Sequence, residues 1–285
     1  MRLAITHTTR YAYAFPPRTI IQLLRVTPAG FDGHAVSGWR IDVDCDARLR
    51  EARDGYGNHV HMLYIDMPPR EVRVTVGGRV LTTSGAGMVA GLPEPLPPQV
   101  FLQGTSLTHA DAAITDFART LTAEGGSRLD MLHRLNRALH ARLAFEAGVT
   151  NVTTDAATAF AAGHGVCQDF THVFLAVARA IGVPARYISG HLFRHDGAEL
   201  QPAAHAWAEA WVDDLGWVGF DPSNSISPDD AYVRVACGLD YLQAAPVSGT
   251  RTGGRGETLT VDVRVAQVQR QSQGRGRQSQ SQSQG

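Results

Sequence analysis

Three side chains, met in the order Cys167, His205 and Asp221, have the types and surroundings to do chemistry. A cysteine acts as a nucleophile through its thiolate, so it needs a base, and the base needs a group that orients it. Cys167 stands in Gly163-His-Gly-Val-Cys-Gln-Asp-Phe170, at the head of a run with Phe170, Val173, Phe174, Val177 and Ile181 on one stripe. That spacing predicts an amphipathic helix, ended by Gly182 and Pro184 and preceded by a tight glycine turn. Cys167 then lies at the helix N-terminus, where unpaired backbone N–H groups and the helix dipole favour a negative charge. The same N–H groups can hold an oxyanion during attack on a carbonyl.

The base is expected in Ala204-His-Ala-Trp-Ala-Glu-Ala-Trp-Val212, which alternates strictly. His205, Trp207, Glu209 and Trp211 share one strand face, and Ala206, Ala208 and Ala210 the other. The small face lets another element pack closely, while the large face sets the imidazole beside indoles. Asp213-Asp-Leu-Gly216 makes a turn, and Trp217-Val-Gly-Phe-Asp-Pro222 runs back until its proline stops it. This hairpin returns Asp221 toward His205, completing a Cys, His, Asp order. Glu209 is a rival orienter on the same face, but four strand residues put it about 13 Å from His205. Cys45, on the apolar face of its own strand, and Cys237 are read as small buried apolar residues. Arg186 can fix its strand against the cysteine helix or meet a substrate carboxylate, the first being the expected role.

The remaining elements are placed around this set. Residues 1–90 read as a β-rich N-terminal domain: Trp39, Ile41, Val43 and Cys45 alternate with Arg40, Asp42 and Asp44, and further strands fall near 59–65 and 72–81. Residues 91–107 read as a Pro-rich linker, within a Met88–Pro98 stretch that holds four prolines. Residues 108–268 form the catalytic core with a C-terminal strand. It opens on helices, one starting near Thr108-x-x-Asp111 and stopped by Gly125-Gly126, the next capped by Ser127 with Leu132, Leu135, Leu139 and Leu143 on one face. A short helix follows Thr154, and 258–265 alternate as a last strand. Residues 269–285, all Gln, Ser, Gly, Arg and Val-free, are read as a disordered tail.

Gly165-Val-Cys-Gln-Asp-Phe170, Gly182-Val-Pro-Ala-Arg-Tyr-Ile-Ser-Gly190, His205-Ala-Trp207 and Gly216-Trp-Val-Gly-Phe-Asp-Pro-Ser-Asn224 resemble the bacterial transglutaminase-like family. His7-Thr-Thr-Arg-Tyr-x-Tyr13, Leu24-Arg-Val-Thr-Pro28 and Asp54-Gly-Tyr-Gly-Asn58 are similar to that family's N-terminal region, and Asp240-Tyr241 with Ala245-Pro246 to the close of its core. The resemblance spans roughly residues 1–268. It implies an α+β fold, a papain-like transglutaminase core of helices packed on an antiparallel sheet, preceded by a β-rich domain. It also implies a Cys167-His205-Asp221 triad. Many animal relatives supply an upstream tryptophan to the oxyanion hole, yet no tryptophan lies between Trp39 and Trp207 here. Gln168 can serve instead, or it can cap the helix; Trp207 is the other supporting candidate.

Composition narrows the chemistry. All 26 Lys+Arg residues are arginine. Lysine Schiff bases, a lysine phosphate loop and a lysine acid or base are therefore excluded, and the chain offers no lysine side chain as an acyl acceptor. A net charge of −1 advertises neither nucleic acid nor a calcium buffer. The three arginines at 270, 275 and 277 lack the aromatic partners of a nucleic-acid site. No EF-hand loop occurs, His59-x-His61 has no third ligand, and His164 and His172 do not share a face with Cys167, so no metal and no cofactor are expected. The longest apolar run, Val173 to Ala178, is too short to span a membrane, and no leader-like stretch opens the chain. The expectation is a cytoplasmic cysteine enzyme acting through a thioester on an amide or peptide bond of a protein or peptide, with hydrolysis as the leading outcome. Glutamine–amine cross-linking and a non-enzymatic binding module are the alternatives, and the β domain is expected to cover or gate the cleft.

Overall fold

The computed structural model describes residues 1–268; the tail expected at 269–285 lies outside them. Six long strands come first: β1 (Arg2–Phe15), β2 (Thr19–Thr27), β3 (His34–Val43), β4 (Arg48–Arg53), β5 (His59–Asp66) and β6 (Glu71–Thr82). A short strand, β7 (Met88–Val89), and a 3-10 turn (Pro98–Leu102) follow. Then come α1 (Ala112–Ala123), α2 (Arg128–Arg142), β8 (Ala144–Phe145), α3 (Ala156–Ala162), β9 (His164–Gly165) and α4 (Cys167–Ala180). The chain closes with β10 (Ala185–Leu192), β11 (Leu200–Gln201), β12 (His205–Val212), β13 (Gly216–Phe220), β14 (Tyr232–Gly238), α5 (Tyr241–Ala244), β15 (Val247–Thr252) and β16 (Arg255–Gln267).

The N-terminal part is a sandwich. One sheet has the order β11-β16-β1-β6-β3, the other β15-β2-β5-β4. Alternation drives it: Ile20, Leu24 and Val26 of β2 and Leu63 and Ile65 of β5 face Tyr11, Tyr13, Val72, Val74 and Val76 of the other sheet. Trp39, Ile41, Val43 and Cys45 pack onto that core as the alternation predicted.

The core is a five-stranded sheet, β14-β10-β12-β13-β7, covered by helices. Ala206, Ala208 and Ala210 of β12 sit in one apolar cluster with Val173, Phe174 and Val177 of α4, so the small-residue face brings helix and sheet together. Asp111, Ser127 and Asp155 cap α1, α2 and α3, each side chain accepting a backbone N–H of the first turn. This α+β architecture is papain-like.

Three expectations change. The stretch around 88–98 is not a plain linker, because β7 pairs with β13 as an edge strand and Glu94 binds Arg186. The last strand does not belong to the catalytic core: β16 runs antiparallel to β1, and β15 to β2, so residues 247–267 complete the sandwich. The α4 helix is not amphipathic in its environment. Every residue from Asp169 to Arg179 is buried, because α1, α2 and α3 cover the side opposite the sheet. Its polar members find partners: Arg179 donates to the carbonyls of Phe101, Ala185 and Leu239, and His172 Nε2 accepts from the Tyr241 N–H.

Candidate active site

Cys167 is the first residue of α4. The turn before it is held by Asp169, whose Oδ2 accepts from the Val166 N–H at 2.8 Å and from the Thr150 hydroxyl at 2.7 Å. Burial pushes the Asp169 carboxyl up, against these hydrogen bonds. Gly165 is required there, since a Cβ would fall 2.6 Å from Asp169 Oδ2. The Val166 carbonyl takes the N–H groups of Asp169 and Phe170. The N–H groups of Cys167 and Gln168, at the very start of the helix, have no preceding turn to bond to.

His205 opens β12 and Asp221 directly follows β13. The hairpin pairs Ala208 with Phe220, which carries Asp221 to the start of β12. His205 Nε2 donates to Asp221 Oδ2 at 2.6 Å. Asp221 is fully buried and accepts five further hydrogen bonds: from the Ser223 N–H and hydroxyl, the Asn224 N–H and Nδ2, and the Tyr232 hydroxyl. Burial alone would raise its carboxyl; His205, Ser223 and Asn224 outweigh it and hold the group down at about 2. Burial likewise works against a charged His205, but Asp221 and Cys167 overcome it and push the imidazole up to about 10. This direction favours the imidazolium form of the ring.

Cys167, Gln168 and His205 line one cleft of about 340 Å³. Gln168 Nε2 is buried and has no hydrogen-bond partner among the described residues, so its N–H groups are unspent beside the thiol. Trp207 belongs elsewhere. Its ring stacks on His205 (centroids 6.2 Å apart, 27° between planes) and meets Tyr232 edge-on, but it does not line the cleft of Cys167. It supports the imidazole and is not placed to bind an oxyanion.

Glu209 is no orienter of His205. Its buried carboxylate accepts from Arg186 Nε at 2.6 Å and Arg234 Nε at 2.8 Å. Burial would raise Glu209, and the two guanidiniums hold it below its ordinary range. Arg186 also binds Glu94 and lies 4.0 Å over the Trp217 ring. It is structural, as expected, but it ties the β7 segment to the sheet rather than bracing the cysteine helix. Cys237 is buried and Cys45 partly so, and neither lines the cleft. Among the described residues no cluster of three or more His, Cys, Asp or Glu side chains could hold a metal ion.

Sequence reasoning missed Asp169, Ser223, Asn224 and Tyr232 as parts of the site. For Ser223 and Asn224 a signal exists, because an aspartate before Pro-Ser-Asn forms a local turn onto its own carboxylate. Tyr232 comes from another strand and has no local signal.

With this geometry in hand, comparison with known proteins is informative. Residues 115–222 match the transglutaminase-like superfamily core, and residues 3–81 the bacterial transglutaminase-like N-terminal region. The chain is a bacterial transglutaminase-like protein. An uncharacterized protein of Mycobacterium leprae is 29% identical over 269 residues, 90% of this chain and 95% of that one. A protein-glutamine gamma-glutamyltransferase of Pseudomonas aeruginosa is 33% identical over 105 residues, which are 30% of this chain and 14% of that one. The crystal structure of a candidate cysteine protease from Cytophaga hutchinsonii shares the fold, at a TM-score of 0.73 and 19% identity, covering 92% of this chain and 90% of that one. No helix of the described residues in this transglutaminase-like chain is long and apolar enough to cross a membrane.

Proposed function

We propose that this transglutaminase-like protein is a cysteine acyl-transfer enzyme that hydrolyses an amide or peptide bond in a protein or peptide. The observation that carries the reading is the 2.6 Å His205–Asp221 hydrogen bond in the same fold pocket that seats Cys167 at a helix N-terminus. Cys167 Sγ attacks the carbonyl carbon, and the carbonyl oxygen takes the charge. The Cys167 N–H and the unspent Gln168 amide stabilise that oxyanion. His205 then gives its proton to the leaving amine as the C–N bond breaks, leaving a thioester. A water molecule loses a proton to His205 and attacks the thioester, and the thiolate departs. Asp221 keeps the ring oriented and its charged form stable throughout.

The test is alkylation and turnover together. Iodoacetamide at neutral pH is expected to modify Cys167 ahead of Cys45 and Cys237, and Cys167→Ala to abolish amide hydrolysis. Preferential labelling of Cys45 or Cys237, or hydrolysis that survives Cys167→Ala, refutes the proposal. A second reading, transfer of the acyl group to an amine, is favoured by the likeness to the Pseudomonas glutamyltransferase. Incorporation of a labelled amine into a glutamine peptide, against ammonia release without amine, separates the two. With no lysine in the chain, the acceptor lysine in that case belongs to another molecule.

A further inference from the structure

One face of β1 has an unusual composition for a buried strand face. Leu3, Ile5, His7, Thr9, Tyr11 and Tyr13 all point inward and all are buried. The two ends of this row have apolar partners. Leu3 and Ile5 pack with Val233 of the core, and Tyr11 and Tyr13 with the second sheet of the sandwich. His7 and Thr9, between them, hydrogen-bond to each other at 3.4 Å and belong to neither apolar cluster. They line the cleft that holds Cys167 and His205. The ladder between β1 and β16 pairs Thr9 with Val261 and Tyr11 with Leu259, so those two residues share the same sheet face, and both line the cleft as well. The N-terminal sheet is therefore one wall of the cleft.

The chemistry of the whole lining is uniform. Opposite the sheet stand Tyr187 and Tyr241, and Val152, Pro202 and Val247 reach the cleft from loops and a strand start. No aspartate, glutamate or arginine lines it among the described residues. Apart from the catalytic pair, the one titratable imidazole is His7, which burial holds down at about 4, neutral at ordinary pH. Its neighbour across the domain boundary, His191, meets it edge-on at 5.7 Å and is likewise held down, at about 3. Away from Cys167 and His205, the polar contacts available to a substrate side chain are thus hydroxyls and amides, and a charged side chain lying against the sheet would lose water without gaining a counter-ion.

Resting on the acyl-transfer reading of Cys167, we infer that the N-terminal sheet is the specificity wall, and that the acyl group accepted carries an uncharged, apolar side chain lying against Leu259 and Val261. The β domain then selects substrate rather than merely covering the cleft. Its polar pair, His7 and Thr9, hydrogen-bonded to each other at 3.4 Å, keeps that wall free of charge.

The experiment uses the full chain and four acyl-aminoacyl chloromethyl ketones, with Leu, Gln, Glu and Arg side chains. The rate of Cys167 alkylation by each is followed by intact mass and divided by the iodoacetamide rate of the same protein. The Leu probe is expected to be fastest, with the Glu and Arg probes slower by about 100-fold, the scale of an unpaired charge losing water. Leu259 is 54% exposed, so Leu259→Glu can be made without disturbing a packed core. It should slow the Leu probe and speed the Arg probe, narrowing their ratio at least tenfold. Leu200→Glu, on an exposed residue of β11 outside the cleft, should leave the ranking alone. Equal rates for the four probes, a Glu or Arg probe matching Leu, or a ranking unmoved by Leu259→Glu each overturn the inference while leaving the acyl-transfer reading standing. A folded protein whose Cys167 resists iodoacetamide, or reacts as fast in His205→Gln, overturns both.

Discussion

Replacing Asp221 by Asn removes the charge that faces His205 while keeping the side-chain shape, which makes it the sharpest probe of the site. In the native protein the ring is held at about 10 by Asp221 and Cys167 against the opposing effect of burial. Relative to an ordinary imidazole near 6.5, that is roughly 5 kcal/mol in favour of the charged ring, at about 1.4 kcal/mol per tenfold. Without the carboxylate, burial keeps its downward pull and only Cys167 opposes it. The ring of Asp221→Asn should therefore lose its proton far below 10, near or under 6.5. The imidazole C–H resonances report this directly by NMR, with His205→Gln identifying the signal. The His205 signal should not move between pH 5 and 8 in the native protein, and should titrate within that range in the variant. Titration of native His205 near 6.5, or identical curves in both proteins, would refute the account of what holds the ring.

The same substitution has a stability consequence of definite sign. The folded-state imidazole is raised above its unfolded value, so its contribution is fully present below about 6.5 and is lost as pH rises through about 10. The Asp221 carboxyl is depressed to about 2, so the same contact, viewed from its partner, is present above about 3.8 and lost as pH falls through about 2. Between about pH 3.8 and about pH 6.5 both conditions hold in full. In that window Asp221→Asn should cost about 3–5 kcal/mol in urea unfolding, as expected for breaking a buried pair, with the deficit shrinking as pH rises from about 6.5 toward about 10.

Other changes have distinct signatures. Gln168→Ala should lower kcat by about 10²-fold or more with little change in KM or in thermal stability, since the side-chain amide has no partner in the folded protein to lose; an unchanged kcat removes Gln168 from the oxyanion hole. Gly165→Ala forces a Cβ to within 2.6 Å of Asp169 and should cost about 1–3 kcal/mol while slowing Cys167 alkylation; a neutral Tm in thermal melts contradicts the turn geometry. Glu209→Gln takes the carboxylate from the buried Arg234 guanidinium and leaves Arg186 with Glu94 alone, and should lower stability by about 3–5 kcal/mol in chemical denaturation, with His205 titrating as before. A shifted His205 titration in that variant would revive Glu209 as an orienter.

What was legible in the sequence is what local spacing encodes. Cys167 at a helix start, the alanine face of β12 and the return of Asp221 by a hairpin all lie within short windows where period and turn residues decide the geometry. Asp111, Ser127 and Gly125-Gly126 were readable for the same reason, as caps and stops of single helices. The full burial of α4 was not. Its stripe of Phe170, Val173, Phe174 and Val177 describes one face, whereas the burial of Arg179 depends on the carbonyls of Phe101 and Leu239, which accept from it, and that of His172 on the Tyr241 N–H, which donates to it. Tyr232, which donates to Asp221 across eleven residues and a separate strand, is hidden for the same reason.

The pairing of β1 with β16 joins the two ends of the described chain, Leu3 opposite Gln267, and nothing local can announce it. Its mark was nevertheless present in the alternation of β1, where an inward row runs apolar, then His7 and Thr9, then apolar again. Thr9 Oγ1 and His7 Nε2 partner each other at 3.4 Å, which lets the pair be buried without a hydrogen-bond partner from the second sheet. The interruption marks the point where the inward face of β1 passes from one apolar cluster to the other. In this chain that point coincides with the cleft of Cys167. The N-terminal sandwich and the core thus meet at this cleft: residues 247–267 leave the core after α5, complete the sandwich, and bring Leu259 and Val261 into the lining that also holds Cys167.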